Sequence, residues 1–217
     1  FRRVLFRSML RDAGMDREVL TLLNIHDRTD QRKEDKARDD WRGFVERINK
    51  ATHDVTLAVT GKYTSLRDAY ASIIKAGEHC SVHLGVNVNF RWLDTAAIDA
   101  SNVDKRLSGC DGIIVPGGFG ARGTEGKIEC IRFARENRVP YLGLCLGFQM
   151  AVIEFARNVC GLKGASSSEF EPGCQHAVID ILPEQKKIEG LGGNMRLGGK
   201  EVDVRPGTLA AALYGNA

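Results

Sequence analysis

The chain has 217 residues, of which 43% are hydrophobic and 27% are charged, a balance that is typical of one folded domain and excludes disordered, collagenous and fibrous chains. The 31 basic and 28 acidic residues leave a formal net charge of +3, which is too small and too mixed in sign to indicate nucleic-acid binding. No run approaches the roughly 18 apolar residues of a membrane-spanning helix, so we expect a cytoplasmic protein without nucleic-acid or membrane partners.

Two segments precede the first predicted strand. Residues 1–8 carry three arginines among apolar side chains and lead into no periodic pattern, so we interpret them as a non-native leader. From Asp27 to Arg42, six acids and six bases make a charge-dense linker that turns into a helix. That helix is predicted to lean on the domain from outside through one apolar face, which consists of Ala37, Trp41, Phe44, Val45 and Ile48.

Short apolar strands then alternate with helical patterns. The strands are predicted at Val55–Thr60, Gly85–Trp92, Gly112–Val115 and Val139–Leu144, and the helices at 69–80, 124–137 and 146–159. Strand-like runs at Ala177–Leu182 and Lys200–Val204 precede a last helix from about Thr208. This alternation predicts an α/β fold with a mostly parallel sheet flanked by helices.

The segment from Tyr141 to Gly147 places the pattern G-x-C-x-G between a predicted strand and a predicted helix. This is the pattern of a nucleophile elbow with cysteine in place of serine. Because so tight a turn brings backbone against backbone, the residues two before and two after the nucleophile must lack a Cβ atom, and Gly143 and Gly147 meet that requirement. Cys145 would also start a helix, whose N–H groups and dipole favour the thiolate.

The alternative for Cys145 is a buried, unreactive thiol, which is the usual state of a free cysteine. The six cysteines show no paired spacing and are interpreted as free thiols. We expect burial for the five other than Cys145. The five histidines have no spacing with acids or cysteines that resembles a metal-ligand set, so no metal site is expected.

Seven glycines lie between Gly109 and Gly126, and the run PGGFGARG directly follows the predicted strand Gly112–Val115. At the carboxyl end of a parallel strand, such a loop lies in the ligand crevice. Its order does not give the dinucleotide fingerprint G-x-G-x-x-G. We therefore favour a backbone oxyanion donor beside the elbow over a phosphate-binding loop. A simple turn remains the other interpretation.

Five segments together resemble the glutamine amidotransferase domain of the CTP synthase family. They are GKYTSLRDAYASIIKA from Gly61, PGGFGARGTEGK from Pro116, YLGLCLGFQMAVIEFARNV from Tyr141, SSSEF from Ser166 and LGGNMRLG from Leu191. The resemblance runs from about residue 9 to the end of the chain. It implies a class I glutamine amidotransferase fold, which is a flavodoxin-like three-layer sandwich, and a role in pyrimidine nucleotide biosynthesis.

The resemblance also implies roles for individual residues. Cys145 would be the nucleophile that attacks the side-chain amide of L-glutamine. The backbone N–H groups of Gly118 and Leu146 would hold the oxyanion, and the substrate would be contacted by Gly117, Gln149 and Glu169. A lid associated with activation by GTP would comprise Arg122, Gly123, Thr124, Glu125 and Gly126.

By the same resemblance, residues 9–50 would be the end of a synthetase domain and an interdomain linker helix. Residues 51–217 would be the glutamine amidotransferase domain without its C-terminal part. No cofactor is implied on this chain, because ATP, UTP, Mg²⁺ and activating GTP belong to the complete enzyme, a homotetramer whose synthetase domain uses the ammonia to aminate UTP to CTP. None of the five histidines matches the family's H-P-E motif, which supplies the catalytic histidine and glutamate, so we expect the fragment alone to be inactive.

Three hypotheses remain open at this point. The first is the glutaminase part of a CTP synthase. The second is another cysteine hydrolase of the elbow type, which would leave Glu169 unexplained. The third is a glutaminase-like regulatory module without catalysis, which the unmatched H-P-E motif favours.

Overall fold

A computed structural model describes residues 6, 9–25, 28–48, 51–62, 67–182, 199 and 201–215. The chain divides into two compact units, Phe1–Ile179 and Asp180–Ala217. Three interpreted segments lie wholly or partly outside the described residues: the leader at 1–8, the GKYT segment after Lys62, and LGGNMRLG at 191–198. In the part of the chain that the structure describes, no helix has both the length and the apolar character needed to cross a membrane.

Among the described residues before the sheet, helix α1 spans Met15–Leu22 and helix α2 spans Gln31–Ile48. The predicted helix with an apolar face is thus confirmed as α2. Its Phe44 stacks on Trp41 at a centroid distance of 5.6 Å and meets the rings of His79 and His83 edge-on at 6.1 and 6.2 Å. Those two histidines belong to the next helix, α3 at Ala71–Leu84. The apolar face therefore leans on the domain as predicted.

The central sheet has four strands, β1 at His53–Gly61, β2 at Val86–Asp94, β3 at Gly112–Val115 and β4 at Tyr141–Gly143. Their order is β2-β1-β3-β4, and every pairing is parallel. The strands are connected through helices α3, α4 at Val103–Leu107 and α5 at Thr124–Asn137, and β4 leads into α6 at Leu146–Asn158. A mostly parallel sheet with flanking helices is confirmed. The carboxyl ends of β1, β3 and β4 consequently meet at one edge.

Helices α5 and α6 pack against each other and against the central strands, because each presents one apolar face to the sheet. The buried core comprises Ala58, Leu93, Ile98, Val103, Leu107, Ile113, Val115, Ile128, Cys130, Ile131, Ala134, Leu146, Met150 and Ile153. The start of α5 and both bounds of β3 agree with the sequence prediction. The core thus fixes the helices whose N-terminal ends border the candidate site.

A second, two-stranded parallel sheet follows, made of β5 at Ala165–Ser167 and β6 at His176–Ile179. The predicted strand from Ala177 is confirmed as β6, although it ends before Leu182. Strand β5 was not predicted, because three residues with two serines carry no apolar alternation. It joins the fold through pairing with β6, a contact that is remote in sequence.

Two sequence predictions are corrected. Helix α3 does not end near Cys80 but continues to Leu84, where Gly85 adopts a left-handed conformation with a φ of 67° and ends the helix. Residues 201–204 form no strand: all four are exposed, and no strand pairs with them among the described residues. The last helix is confirmed as α7 at Leu209–Tyr214, with the Thr208 hydroxyl accepting a hydrogen bond from the Ala211 N–H as its cap.

Candidate active site

The predicted elbow lies between β4 and α6. Cys145 has a φ of 53° and a ψ of −108°, a backbone conformation that residues with a side chain rarely adopt and that costs conformational energy. It is exposed and directly precedes the first residue of α6. A strained, accessible cysteine at a helix N-terminus is the geometry that the pattern G-x-C-x-G predicts.

Close backbone contacts explain both elbow glycines. A Cβ atom on Gly143 would lie 2.6 Å from the backbone nitrogen of Phe148, and a Cβ atom on Gly147 would overlap the carbonyl oxygen of Val115. That carbonyl also accepts a hydrogen bond from the Leu144 N–H at 2.9 Å, which ties the elbow to β3. The requirement for residues without Cβ atoms, argued from the sequence, is confirmed.

Tyr141 supports the elbow from the start of β4. Its hydroxyl donates a hydrogen bond to the carbonyl oxygen of Gly147 at 2.6 Å. Burial raises the pKa of the Tyr141 phenol, so the hydroxyl keeps the proton that it donates. Strand and helix are therefore joined across the turn by a side chain as well as by the chain itself.

The glycine-rich loop after β3 faces the elbow directly. A Cβ atom on Gly117 would lie 3.3 Å from the Cβ of Cys145 and 3.9 Å from its Sγ, and one on Gly118 would lie 3.7 Å from Cδ2 of Leu146. Gly117 therefore allows the loop backbone to approach Cys145 more closely than a larger residue would, whereas a Cβ atom on Gly118 would make only an ordinary contact. The structure brings Gly117, Gly118, Cys145 and Leu146 together, as the sequence interpretation requires.

The backbone N–H groups of Gly118 and Leu146 donate no hydrogen bond to any described residue. Buried or partly buried N–H groups are usually paired, so two unpaired N–H groups beside one thiol are available to an incoming acceptor. An oxyanion is the acceptor that such a pair of donors suits. Their role as the oxyanion hole stays a prediction.

Glu169 and Gln149 approach the same site from different elements. The Glu169 carboxylate accepts a hydrogen bond from the Gly120 N–H at 3.2 Å, which links the segment after β5 to the glycine-rich loop. Gln149 lies one turn into α6, where its N–H donates to the Cys145 carbonyl oxygen at 3.2 Å. The contact of either side chain with a substrate stays a prediction.

The segment assigned to a GTP lid is partly helical. Arg122 is exposed, Gly123 has a φ of 75° and precedes α5, and the last three residues form the first turn of that helix. A Cβ atom on Gly126 would overlap the carbonyl oxygen of Thr95, so this end of the segment is packed. The assigned role stays a prediction, and Arg122 and Glu125 are the exposed members of the segment.

Two lysines at the site were missed by the sequence interpretation. Lys62, which directly follows β1, donates to the Phe119 carbonyl oxygen and, at 3.4 Å, to that of Gly120. Lys127 lies in α5 and is only 1% exposed. A signal for Lys127 was present in the sequence, because it shares its helix face with Ile131 and Ala134, four and seven residues on.

All six cysteines are free thiols, as expected. Cys130 is buried, Cys110 and Cys174 are partly buried, and Cys80 and Cys160 are exposed. The expectation of burial is therefore confirmed in full only for Cys130 and is wrong for Cys80 and Cys160. Cys80 lies on the outer face of α3, and Cys160 lies just beyond the end of α6. Cys145 differs from both exposed cysteines in its strained backbone and in the unpaired N–H groups beside it.

No histidine hydrogen-bonds Cys145 in the described ranges. His53 pairs with the Thr52 hydroxyl at 2.7 Å. His79 and His83 contact Phe44, and both are exposed on α3. The described part of the chain therefore contains Cys145, the glycine-rich loop and α6, but no histidine in contact with the thiol.

Comparison with known proteins identifies close relatives. The family model for glutamine amidotransferase class I matches residues 65–215. The CTP synthase of Carboxydothermus hydrogenoformans is 56% identical over 176 residues, which is 81% of this chain and 33% of that protein. The CTP synthase of Natronomonas pharaonis is 50% identical over 206 residues, which is 95% of this chain and 36% of that protein. The chain thus spans about a third of the length of these curated relatives.

A solved structure shows the same similarity. The glutaminase domain of Trypanosoma brucei CTPS with bound acivicin superposes with a TM-score of 0.57 and 41% sequence identity. The match covers 60% of this chain and 51% of that one. Both the sequence family and the fold therefore agree with the elbow and the sheet described above.

Proposed function

Because this chain belongs to the class I glutamine amidotransferase family, we propose that it is the glutaminase part of a CTP-forming enzyme. In this proposal Cys145 releases ammonia from L-glutamine, and the ammonia aminates UTP to CTP at a synthetase domain of the complete protein. The observation that carries the proposal is the Cys145 elbow, where a strained, exposed thiol lies beside two unpaired backbone N–H groups.

The chemistry follows from that geometry. The Cys145 thiolate attacks the side-chain amide carbon of glutamine, a C–S bond forms, and the carbonyl oxygen becomes an oxyanion. The N–H groups of Gly118 and Leu146 stabilise that charge, a contribution that is worth about 3 kcal/mol per donor in other hydrolases. The C–N bond then breaks as the leaving nitrogen takes up the proton that the thiol released, and ammonia departs. Water hydrolyses the γ-glutamyl thioester to glutamate and the free thiol.

Glutamine selectivity would come from residues around the elbow. Gly117 leaves room for the substrate beside Sγ, because a Cβ there would lie 3.9 Å from that atom. Glu169 supplies a carboxylate for the substrate's α-ammonium, and Gln149 supplies amide donors and acceptors one turn after the nucleophile. These contacts would orient the side-chain amide toward the thiolate.

The first experiment tests the substrate on this chain without requiring turnover. L-Glutamine should slow iodoacetamide labelling of Cys145 in a saturable way, whereas L-asparagine, one methylene shorter, should not. Glu169→Ala should raise the glutamine concentration needed for protection. Labelling that glutamine leaves unchanged would contradict a glutamine site and would favour a different cysteine hydrolase.

The second experiment uses the complete protein of which this chain would be the glutaminase part. Cys145→Ala should abolish CTP formation from glutamine while CTP formation from added ammonium chloride persists, because only the ammonia joins the two reactions. Glu169→Ala should act in the same direction and more weakly. Loss of both activities in a folded Cys145→Ala protein would show that this cysteine is not a dedicated glutaminase nucleophile.

A second candidate function is a glutamine-binding regulatory module without catalysis. The observation that favours it is that no described histidine contacts Cys145. In that case glutamine would protect Cys145, yet the complete protein would release no ammonia from glutamine. Ammonia release from glutamine by the complete protein, absent in its Cys145→Ala variant, would exclude the module.

A further inference from the structure

Lys127 is a buried lysine that the mechanism above does not use. It lies in the first turns of α5, on the face of the helix that packs into the core, and it is 1% exposed. Removing an ammonium group from water is costly unless an anion or several hydrogen-bond acceptors replace the water. Its position therefore calls for a partner of negative charge.

The Lys127 ammonium lies next to the glycine-rich loop that faces Cys145. A Cβ atom on Gly118 would lie 4.0 Å from Nζ of Lys127, and one on the adjacent Gly117 would lie 3.9 Å from Sγ of Cys145. The Lys127 ammonium therefore lies beside Gly118 and the Cys145 thiol beside Gly117, so both groups border the same glycine-rich loop. They interact electrostatically, and the interaction favours the charged form of Lys127.

The acids near Lys127 are paired elsewhere. Along α5, Glu125 binds Arg157 at 2.9 Å and Glu129 binds Arg132 at 2.7 Å. Across the loop, Glu169 accepts from the Gly120 N–H. No carboxylate or carbonyl oxygen of a described residue hydrogen-bonds Nζ of Lys127.

The remaining charged groups are a cation and a thiol. Lys62, at the end of β1, repels Lys127, whereas Cys145 attracts it. Among the described groups that face Lys127, Cys145 is therefore the one able to supply a negative charge.

We propose that Lys127 is a positioning residue of this active site, whose buried ammonium is the counter-ion of the Cys145 thiolate. The proposal rests on Cys145 being the nucleophile of the proposed function. Lys127 acts through the thiolate: it favours the negative charge on Sγ before attack, and it keeps the positive potential at the Gly117–Gly118 loop where the oxyanion forms.

The charge of Lys127 changes within a pH range in which Cys145 labelling can be measured. Burial, which contributes most, and repulsion from Lys62 together lower the pKa of Lys127 to about 8, while Cys145 opposes the shift. The ammonium is therefore mostly present at pH 7 and is lost as the pH rises through about 8. Any help that Lys127 gives to the thiolate must disappear over the same interval.

The test measures alkylation of Cys145 by iodoacetamide, in which the thiolate forms an S–C bond and iodide leaves. Peptide mapping separates Cys145 from the other five cysteines, and no glutamine is present, so a chain that fails to bind glutamine still gives a clear result. At pH 7, Lys127→Met should react about tenfold more slowly than the wild type, since a neighbouring cation favours a charged partner by about this factor or more. Lys127→Arg should restore most of the rate.

The pH profile separates an electrostatic role from a structural one. The ratio of wild-type to Lys127→Met rates should fall toward one above about pH 9, because Lys127 has then lost its charge. Equal rates at pH 7, or a ratio that does not change with pH, would overturn the proposal. Lys75→Met removes an exposed lysine that pairs with Glu78 on α3, and it should leave the rate unchanged.

Cys130 reports whether the variants remain folded. It lies three residues after Lys127 in α5, it is fully buried, and burial raises the pKa of Cys130 to about 12. It should stay unlabelled as long as α5 is packed. If Lys127→Met exposes Cys130, the reciprocal variant Cys145→Ala decides the question by NMR titration of the Lys127 side chain: the midpoint must move to lower pH when the thiolate is absent. An unchanged midpoint would overturn the proposal.

Discussion

The elbow and the N-terminal helical segment, defined as residues 9–48, use glycine for different physical reasons. At the elbow, a Cβ atom on Gly147 would overlap the Val115 carbonyl oxygen. In the N-terminal helical segment, Gly14 precedes α1 with a φ of 78°, and a Cβ atom there would meet nothing within 4 Å. One glycine is required by its neighbours and the other only by its own backbone angle.

Charged residues show the same contrast. Behind the elbow, Glu154 of α6 is 1% exposed and is bound by Arg135 at 2.8 Å and by Asn158 at 3.1 Å. In the N-terminal helical segment, Arg38 lies 3.9 Å from Asp16, whose side chain is 39% exposed. Residue type alone therefore does not show how much a glycine or a charged residue contributes to the free energy of unfolding. The distances to neighbouring atoms and the exposure to water do.

The largest effect is expected for Gly147→Ala. The added methyl group must push α6 away from β3, and overpacking at a backbone contact costs about 3 kcal/mol in the free energy of unfolding. Chemical denaturation measures that loss, and Cys145 labelling should slow because the elbow geometry changes. Gly14→Ala is the matched control: only the positive φ opposes it, at a cost of about 1 kcal/mol. Equal losses of unfolding free energy in the two variants would show that the close contact at Gly147 adds nothing to the cost of the added methyl group.

An intermediate effect is expected for Glu154→Gln. The amide keeps the shape of the carboxylate but leaves Arg135 without its buried counter-charge. Since the Arg135 side chain is 35% exposed and water can partly replace the lost charge, we expect a loss of about 2 kcal/mol. The measurement is the denaturation midpoint at constant slope.

Glu136→Gln is the matched control for that variant. Glu136 also binds Arg135, at 3.3 Å, but its side chain is 46% exposed. Its loss should change the free energy of unfolding by about 0.5 kcal/mol or less. A control that destabilises as much as Glu154→Gln would show that burial does not set the weight of these pairs.

The smallest effect is expected for Arg38→Ala. Its contacts with Asp16 at 3.9 Å and Asp35 at 3.3 Å are surface ion pairs, which contribute about 0.5 kcal/mol or less. Differential scanning calorimetry at low and at high salt tests this, because screening should remove most of the small difference. A salt-independent loss of several degrees in Tm would show that Arg38 packs rather than merely pairs.

The features that the sequence predicted best have local causes. The elbow required a glycine two positions before and two positions after Cys145. Helix α5 begins directly after Gly123, which has a left-handed backbone conformation. The helix α2 followed from the spacing of its own apolar residues. In each case the determining residues lie within a few positions of the structure that they determine, so a pattern was sufficient.

The features that the sequence did not reveal depend on residues far apart in the chain. Strand β5 exists because β6 pairs with it, and Glu169 reaches the site through the Gly120 N–H, 49 positions away. Lys127 was visible only as an unexpected charge on an apolar helix face. Its place beside Cys145 was decided by the packing of α5 against the ends of β1 and β3, because only that packing removes the ammonium from water and leaves it a thiol as its partner.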